Sequence, residues 1–309
     1  MEYTLEANHI IKNYGEYRAL NDVTIKVPKG SIYGLLGPNG AGKTSLIRII
    51  NQITMPDAGE VLLNGEVLQP KHIQDIGYMP EERGLYKSMK VGEQCLYLAM
   101  LKGLTKKEAK ARLEHWFEKL GMTGWWNKKL QELSKGMAQK VQFIVTVLHE
   151  PSLLIFDEPF SGFDPVNANL IKDEILELSE KGTTIIFSTH RMESVEEMCD
   201  HIALINKSNL VLSGKLNEVK QQFRSRNYAV SLIANQPEET FNKVPVQYQP
   251  EKTQLKGLDH TLDINITLPE NESIAHAITH FSSLGELTHF SEIIPSVNDI
   301  FIKTVEQDG

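Results

Sequence analysis

The chain contains 309 residues, of which 41% are hydrophobic, and its 32 basic and 40 acidic side chains give a formal net charge of -8. This length and apolar content allow two packed domains, whereas the acidic balance disfavours a general nucleic-acid binder, so no nucleic-acid partner is expected. Two distant cysteines, Cys95 and Cys199, argue against a disulfide framework, and the lack of a signal peptide or of a long uncharged apolar run predicts a soluble, cytoplasmic chain.

Short strands and turns are predicted from Tyr3 to Val27, ahead of the strongest motif of the chain. That motif, Gly37 to Thr44, fits the eight-residue phosphate loop G-x-x-x-x-G-K-[ST]. The apolar run Ile32 to Leu36 precedes it and the helix-like run Ser45 to Ile50 follows, which is the strand–loop–helix context that the motif requires. Backbone N–H groups of this loop can cradle phosphates, Lys43 can reach the β- and γ-phosphates, and Thr44 can place its hydroxyl on Mg²⁺. The predicted nucleotide-binding residues here are Gly37, Pro38, Asn39, Gly40, Ala41, Gly42, Lys43, Thr44 and Ser45.

Tyr14 lies on a turn just before the phosphate-loop strand. A lone tyrosine near a turn is usually a half-buried packing residue. Because a phosphate loop follows, we favour the other interpretation, in which the Tyr14 ring stacks on an adenine base.

The middle of the chain combines strand, turn and helix signals. Asn64-Gly65 between two strand-like runs predicts a hairpin, and a strand beginning at Ile76 ends in the polar loop Glu81 to Gly84. The pattern then becomes helical, so a helical insert is predicted at about residues 88–150. Within it, Thr105 and Glu108 have the spacing of a capping box.

Polar residues then lie at the start of one predicted helix and at the ends of two predicted strands. Leu133 to Met137 begins a helix whose N-terminus is either an ordinary cap at Ser134 or a second anion site. The apolar strand from Leu153 ends in Asp157, which suits Mg²⁺ through water, and Glu158, which can polarise an attacking water. Another buried strand ends at His190, and the ends of parallel strands gather ligands.

Taken together, these motifs resemble those of the nucleotide-binding subunit of ATP-binding cassette (ABC) transporters over roughly residues 1 to 220. They are the aromatic loop at Tyr14, Walker A from Gly37 to Thr44, the Q-loop region from Gly77 to Gly84, the signature from Leu133 to Met137, Walker B from Leu153 to Glu158, the D-loop from Ser161 to Asp164 and the switch histidine His190. The resemblance implies an α/β fold of the P-loop NTPase type, with an antiparallel β subdomain and a helical insert. It also implies a homodimer or heterodimer of nucleotide-binding domains, with ATP between Walker A of one protomer and Ser134 and Gly136 of the other.

The resemblance further implies roles for single residues in Mg²⁺-dependent ATP hydrolysis. Glu158 would act as general base, His190 would contact the γ-phosphate, and Asp164 would act across the dimer interface. The implied metal-contacting residues are Thr44, Asp157 and Glu81.

Two stretches depart from the usual family pattern. Glu81 occupies the position of the Q-loop glutamine, and an ionised carboxylate accepts hydrogen bonds but cannot donate them. The usual signature L-S-G-G-Q reads L-S-K-G-M, so Lys135 adds a positive charge and Met137 removes an amide. Both stretches look more like bacterial export-type, NatA-like ATPases for sodium or drug-like substrates.

Residues 221–309 have patterns of their own, which predict a small α+β domain with a capped final helix. His276 and His280 have the i, i+4 spacing of metal ligands, but without a glutamate or cysteine partner we favour a solvated helix face. The segment resembles the accessory C-terminal domain of export-type cassette ATPases.

The interpretation that follows is an ATP-hydrolysing subunit, peripheral on the inner face of the cell membrane, that energises a separate transmembrane permease. One alternative is a non-transport cassette ATPase acting on a cell-envelope or ribosomal machine, which the single Walker A motif disfavours. Another is an inactive ATP-binding regulator, which the intact Asp157, Glu158 and His190 disfavour.

Overall fold

The computed structural model describes residues 2–82, 84–253 and 260–307, so Arg83 of the predicted Q-loop region lies outside the described residues. The chain divides into two units, one running to Leu216 and including the chain from Phe301 onward, the other running from Asn217 to Ile300. Within the described residues, no helix is both long enough and apolar enough to cross a membrane.

The first unit contains two sheets and the helices that cover them. Its strands are β1 (Tyr3–Tyr14), β2 (Tyr17–Pro28), β3 (Ile32–Leu36), β4 (Ala58–Leu63), β5 (Glu66–Val67), β6 (Ile76–Met79), β7 (Leu153–Asp157), β8 (Thr184–Ser188), β9 (His201–Asn206) and β10 (Asn209–Lys215). Its helices are α1 (Lys43–Ile50), α2 (Val91–Leu101), α3 (Lys106–Lys119), α4 (Lys135–Val147), α5 (Pro165–Glu180) and α6 (Met192–Met198). Short 3-10 helices lie at Pro70–Asp75, Thr123–Trp125 and Leu130–Glu132.

The larger sheet has the strand order β10-β9-β3-β8-β7-β6, in which β9 to β6 are parallel and β10 is antiparallel. Every residue of β3, β7 and β8 is buried, as expected for parallel strands that are covered on both faces. Because these three strands are neighbours and run in the same direction, the segments that follow them meet at one edge of the sheet.

The smaller sheet is antiparallel, with the order β2-β1-β4-β5, and it shares a core with the larger one. In that core Leu5 of β1 and Val23 of β2 belong to the same cluster as Leu46 of α1. The hairpin predicted at Asn64-Gly65 is confirmed: both residues have positive φ, 51° and 82°, and Leu63 pairs with Glu66.

Helices α2, α3 and α4 occupy the stretch in which the sequence predicts helices. The capping box is confirmed, because the N–H of Thr105 donates to Glu108 Oε2 at 2.9 Å and the N–H of Glu108 donates to Thr105 Oγ1 at 3.3 Å. Gly92 of α2 is required by packing, since a Cβ there would lie 2.4 Å from the Trp126 ring.

In its described part, the second unit contains one sheet, two α-helices that lie wholly within the unit, and a 3-10 helix at Val246–Tyr248. Its strands are β11 (Asn227–Ile233), β12 (Glu251–Lys252), β13 (Thr261–Thr267) and β14 (Glu286–Glu292), in the antiparallel order β12-β13-β11-β14. Its helices are α8 (Pro237–Asn242) and α9 (Ile274–Leu284), while α7 (Leu216–Gln222) and α10 (Val297–Gln307) each span a division between the units. Alternate side chains of β11, such as Val230 and Leu232, pack with Phe281 of α9 in a separate core. The α+β pattern predicted for this stretch is confirmed, including the cap of α10, where the N–H of Asp299 donates to Ser296 Oγ at 3.1 Å.

The prediction of a solvated face for the two histidines of α9 is wrong in part. The His276 side chain is 72% exposed, but its Nδ1 lies 2.7 Å from Oε1 of Glu272, a partner that the prediction did not include. His280 is half-buried, with its ring 5.7 Å from that of Tyr248. Among the described residues, neither His276 nor His280 belongs to a group of three histidine, cysteine or acidic side chains that could hold a metal ion.

Candidate active site

A cavity of about 380 Å³ lies where β3, β7 and β8 end. Its lining residues are Tyr17, Ala19, Asn39, Gly40, Ala41, Gly42, Lys43, Thr44, Ser45, Glu81, Asp157, Glu158 and His190. The fold thus brings together residues of four separate motifs. The predicted site residues that do not line this cavity are Tyr14, Gly37, Pro38, Ser134, Gly136 and Asp164.

The loop between β3 and α1 has a conformation that only glycine tolerates at two positions. A Cβ on Gly37 (φ 148°) would lie 2.1 Å from the carbonyl oxygen of Ile205, and one on Gly42 (φ 118°) would lie 2.4 Å from that of Ala19. The loop therefore lies directly against neighbouring backbone. This close approach, combined with positive φ, explains the glycines of the motif in physical terms.

Lys43 is the first residue of α1, and its side chain reaches back to the first residues of the phosphate loop. Its Nζ donates to the carbonyl oxygens of Gly37 at 2.7 Å and Pro38 at 3.1 Å. Burial lowers the pKa of the Lys43 ammonium, while the nearby carboxylates of Asp157 and Glu158 act in the opposite direction. Because the first N–H groups of a helix have no intrahelical partners, this cation and the start of α1 together form an anion-binding environment.

Asp157 ends β7 and Glu158 follows it, and Glu81 follows β6, the next strand of the sheet. Burial raises the pKa of the Asp157 carboxyl, and the charges of Glu158 and Glu81 raise it further. Helix α4 helps to position Glu81, because Gln142 Nε2 donates to the carbonyl oxygen of Pro80 at 2.9 Å. This wall of the cavity is therefore a region of concentrated negative charge.

Glu158 is held against the segment that follows β8. Its Oε1 lies 2.6 Å from Nδ1 of His190 and accepts the backbone N–H of His190 at 2.8 Å, and its Oε2 accepts the Thr189 hydroxyl at 3.1 Å. Its backbone has a φ of 50°, in the left-handed region, and its N–H donates to the carbonyl oxygen of Ser188 at 2.8 Å. The side chain of Glu158 is only 11% exposed, whereas that of His190 is 68% exposed. The carboxylate thus has a defined orientation at the edge of the cavity.

Sequence reasoning missed Tyr17. Its hydroxyl donates to the carbonyl oxygen of Gly40 at 2.9 Å, and it pairs with Tyr14 across the turn of the β1–β2 hairpin. That turn, two residues long with Gly15 at a φ of 61°, is the signal that could have identified it. Tyr14 is 44% exposed, and the ammonium of Lys12 lies 5.5 Å from the centre of its ring. Stacking of Tyr14 on a base stays a prediction.

The signature and D-loop segments lie beside each other, away from the cavity lining. Ser134 caps α4, since its Oγ accepts the N–H of Met137 at 3.3 Å, and Asp164 caps α5, since its Oδ1 accepts the N–H of Asn167 at 3.0 Å. A Cβ on Gly136 would lie 3.5 Å from the ring of Phe163, which places the two segments in contact. Ser134 therefore does form the ordinary cap, and the nucleotide contacts of Ser134, Gly136 and Asp164 stay predictions.

Comparison with known proteins agrees with this geometry. The chain matches the family described as "ABC transporter" over residues 20–161 and the family described as "ATP-binding protein DrrA1-3-like, C-terminal domain" over residues 214–305. It is 40% identical to the uncharacterized ABC transporter ATP-binding protein YhaQ of Bacillus subtilis (strain 168), over 97% of this chain and 98% of that protein. It is 36% identical to the ABC transporter ATP-binding protein NatA of the same strain, over 68% of this chain and 87% of that protein.

A solved structure described as the ATP binding subunit of an ABC transporter is also similar. Its TM-score is 0.67 at 31% identity, with 71% of this chain and 93% of that chain covered. This confirms the predicted α/β fold of the nucleotide-binding domain. The chain belongs to the family of ABC transporter ATP-binding proteins and has a DrrA-like C-terminal domain.

Proposed function

We propose that this chain binds and hydrolyses ATP with Mg²⁺, and that hydrolysis energises a separate transmembrane permease that exports sodium or drug-like substrates. The observation that carries the proposal is one cavity in which the phosphate loop, with Lys43, faces an oriented Glu158–His190 pair. A turnover site needs both an anion cradle and a base placed at its edge. The phosphate loop with Lys43 supports the first role, and the orientation of Glu158 supports the second.

ATP binding rests on the phosphate loop and the start of α1. The unpaired N–H groups there and the Lys43 ammonium attract phosphate oxygens, and the neighbouring backbone leaves no room for a Cβ on Gly37 or Gly42. The carbonyl oxygens that Lys43 now contacts are weaker partners than a phosphate, so the ammonium can exchange them for a γ-phosphate oxygen.

The residues around the cavity also fit Mg²⁺. Of the described residues, the carboxylates of Glu81, Asp157 and Glu158 and the hydroxyl of Thr44 line it together, and they offer the hard oxygen ligands that Mg²⁺ prefers. The pKa of Asp157 is raised first by burial and then by the charges of Glu158 and Glu81, and a divalent cation beside it would stabilise the charged carboxylate. We propose that Thr44, Asp157 and Glu81 contact the ion, directly or through water. Bound there, it would neutralise phosphate charge as hydrolysis proceeds.

Glu158 is the proposed general base. A carboxylate has about four lone-pair sites, and His190 and Thr189 use three of those on Glu158. The remaining site can accept a proton from a water that attacks the γ-phosphate. The ionised carboxylate requires a proton on His190 Nδ1, so the pair fixes the orientation of both side chains next to the phosphates.

A second protomer is proposed to complete the site. Ser134, Gly136 and Asp164 lie outside the cavity lining, although they occupy family motif positions, so we propose that they contact ATP bound to a partner in a homodimer or heterodimer. We further propose a nucleotide-binding domain at 1–220, with its helical insert at about 88–150, and an accessory domain at 221–309.

The permease is proposed to contact a second, more apolar cavity of about 590 Å³. It lies between β6, the 3-10 helix before it, and helices α2 and α4, and it includes Ile53 and Leu101, each 61% exposed. Tyr78 lines this cavity, and Glu81, three residues later, lines the nucleotide cavity. A cytoplasmic segment of the permease seated here would be linked to the nucleotide by one short stretch of backbone.

The proposal is tested with the purified chain and then with its permease. We expect phosphate release from ATP that depends on Mg²⁺ and stops with EDTA. Where a multi-span membrane protein is encoded next to this gene, co-expression with it should yield a complex whose substrate efflux from vesicles depends on ATP. Absence of hydrolysis in both preparations would refute the enzymatic proposal. Hydrolysis by the purified chain, combined with failure of any co-expressed membrane protein to form a complex with it, would support a non-transport ATPase instead.

A further inference from the structure

Tyr17 contacts the phosphate loop from the side of the small antiparallel sheet. It begins β2, lines the nucleotide cavity, and is 56% exposed. Its hydroxyl donates to the carbonyl oxygen of Gly40 at 2.9 Å, across 23 residues of sequence. This hydrogen bond joins the hairpin to the tip of the loop.

The bond orients one particular peptide group, the one between Gly40 and Ala41. The N–H of that peptide donates to the carbonyl oxygen of Pro38 at 3.2 Å, which closes a turn with Gly40 at a φ of 80°. Its carbonyl oxygen accepts the Tyr17 hydroxyl. The peptide is therefore held at both ends.

This restraint matters at Gly40 itself, because the neighbouring Ala41 is already held: it is buried, and its carbonyl oxygen accepts the N–H of Ser208 at 3.1 Å. A Cβ placed on Gly40 would have no heavy atom within 4 Å, so packing does not fix this residue, and glycine populates several backbone conformations with similar ease. If the peptide rotated, its carbonyl dipole would turn toward the phosphates and repel them, whereas the present orientation keeps carbonyl oxygen on the Tyr17 side. The hydroxyl therefore opposes a rearrangement that would weaken anion binding.

We propose that Tyr17 is a positioning residue of the nucleotide site, whose hydroxyl holds the Gly40–Ala41 peptide in the orientation that keeps its carbonyl oxygen turned away from the phosphates. The proposal rests on the ATP-binding function proposed above. It separates the two tyrosines of the hairpin: Tyr14 would act on the base, and Tyr17 would act on the phosphates through the loop.

The test compares Tyr17→Phe with wild type, because this change removes the hydroxyl and keeps the ring. A hydrogen bond of this kind is worth about 2- to 10-fold in affinity. We expect the dissociation constant of Mg·ATP to rise by that factor, and that of Mg·tripolyphosphate, which has no base or ribose, to rise equally in a competition assay. Amide hydrogen exchange across residues 38–44 should also become faster in the ligand-free variant.

Tyr97→Phe is the matched control, since Tyr97 is an exposed tyrosine of α2 outside the cavity lining. Both variants should keep the wild-type melting temperature. The proposal is overturned if neither dissociation constant changes in Tyr17→Phe, or if Tyr97→Phe has the same effect as Tyr17→Phe. It is also overturned if Tyr17→Phe weakens only ATP binding, because that result would indicate a contact of Tyr17 with the base or ribose. If the wild-type protein binds neither Mg·ATP nor Mg·tripolyphosphate, the proposed ATP-binding function itself is wrong. Failure of the ATP-binding proposal is thus distinguished from failure of the Tyr17 proposal.

Discussion

Replacing Glu158 with glutamine removes the proposed base and leaves its surroundings in place. The amide oxygen can keep both hydrogen bonds at the Oε1 position, from the backbone N–H of His190 at 2.8 Å and from its Nδ1 at 2.6 Å. The amide nitrogen can donate to Thr189 Oγ1, which now donates to Oε2 at 3.1 Å, because a hydroxyl can reverse its role. The two side chains have the same shape, so the left-handed backbone at this position carries the same strain in both proteins. Folding stability should therefore change little.

The expected loss is confined to the chemical step. A general base contributes about 10²- to 10⁴-fold to the rate, which corresponds to about 3–5 kcal/mol of transition-state stabilisation. We expect kcat to fall by this factor while the affinity for ATP stays close to wild type, because Lys43 and the phosphate loop are unchanged. The assays are steady-state phosphate release for kcat, calorimetry for ATP affinity, and size exclusion for an ATP-bound dimer that accumulates when hydrolysis is blocked.

Glu150→Gln is a matched control for this change. Glu150 has a similar left-handed backbone, with a φ of 54° against 50° for Glu158, but its side chain is 72% exposed, pairs with Arg112 at 3.0 Å, and does not line the nucleotide cavity. Its kcat should match wild type. A fall in kcat of less than about tenfold in Glu158→Gln, below the usual contribution of a base, would refute the assignment of Glu158, as would an equal loss in Glu150→Gln.

Three further predictions concern other parts of the chain. Tyr14→Ala should weaken ATP binding by about 1–3 kcal/mol if the ring stacks on the base, and unchanged affinity by calorimetry would indicate a packing role. Asp157→Asn should raise the melting temperature of the metal-free protein at neutral pH, because burial raises the pKa of Asp157 and its charged form therefore costs stability. This gain in melting temperature should shrink as the pH falls toward 3.8, the ordinary pKa of an aspartate, and vanish below it. A gain that does not depend on pH would contradict this cause. A chain ending at Lys220 loses the second unit and also the residues from Phe301 that belong to the first, so it should melt at a lower temperature. Its ATP affinity should stay near normal, because every residue that lines the nucleotide cavity precedes Arg191. Loss of ATP binding in a folded truncation would mean that the C-terminal residues shape the site.

Several features were predictable because they depend on residues a few positions apart. The left-handed turn at Asn64-Gly65 and the capping box of Thr105 and Glu108 follow from local backbone and side-chain chemistry, and the structure contains both. The phosphate loop is equally local: a buried strand, closely spaced glycines and a lysine at the start of a helix are all visible in consecutive residues. Sequence by itself therefore determined the class of the fold and predicted a nucleotide as the ligand.

Tertiary structure decided which of these local features meet. The cavity draws on residues as far apart as Lys43 and His190, because the sheet places β8 between β3 and β7, an order that no local pattern specifies. Long-range contacts depend on strand order and on cross-strand register, so the hydrogen bond from Tyr17 to Gly40 could not be derived from motif spacing, and neither could the burial of His280 against Tyr248. Local sequence therefore does not fix the contacts of such side chains, because their partners belong to elements that are distant in sequence.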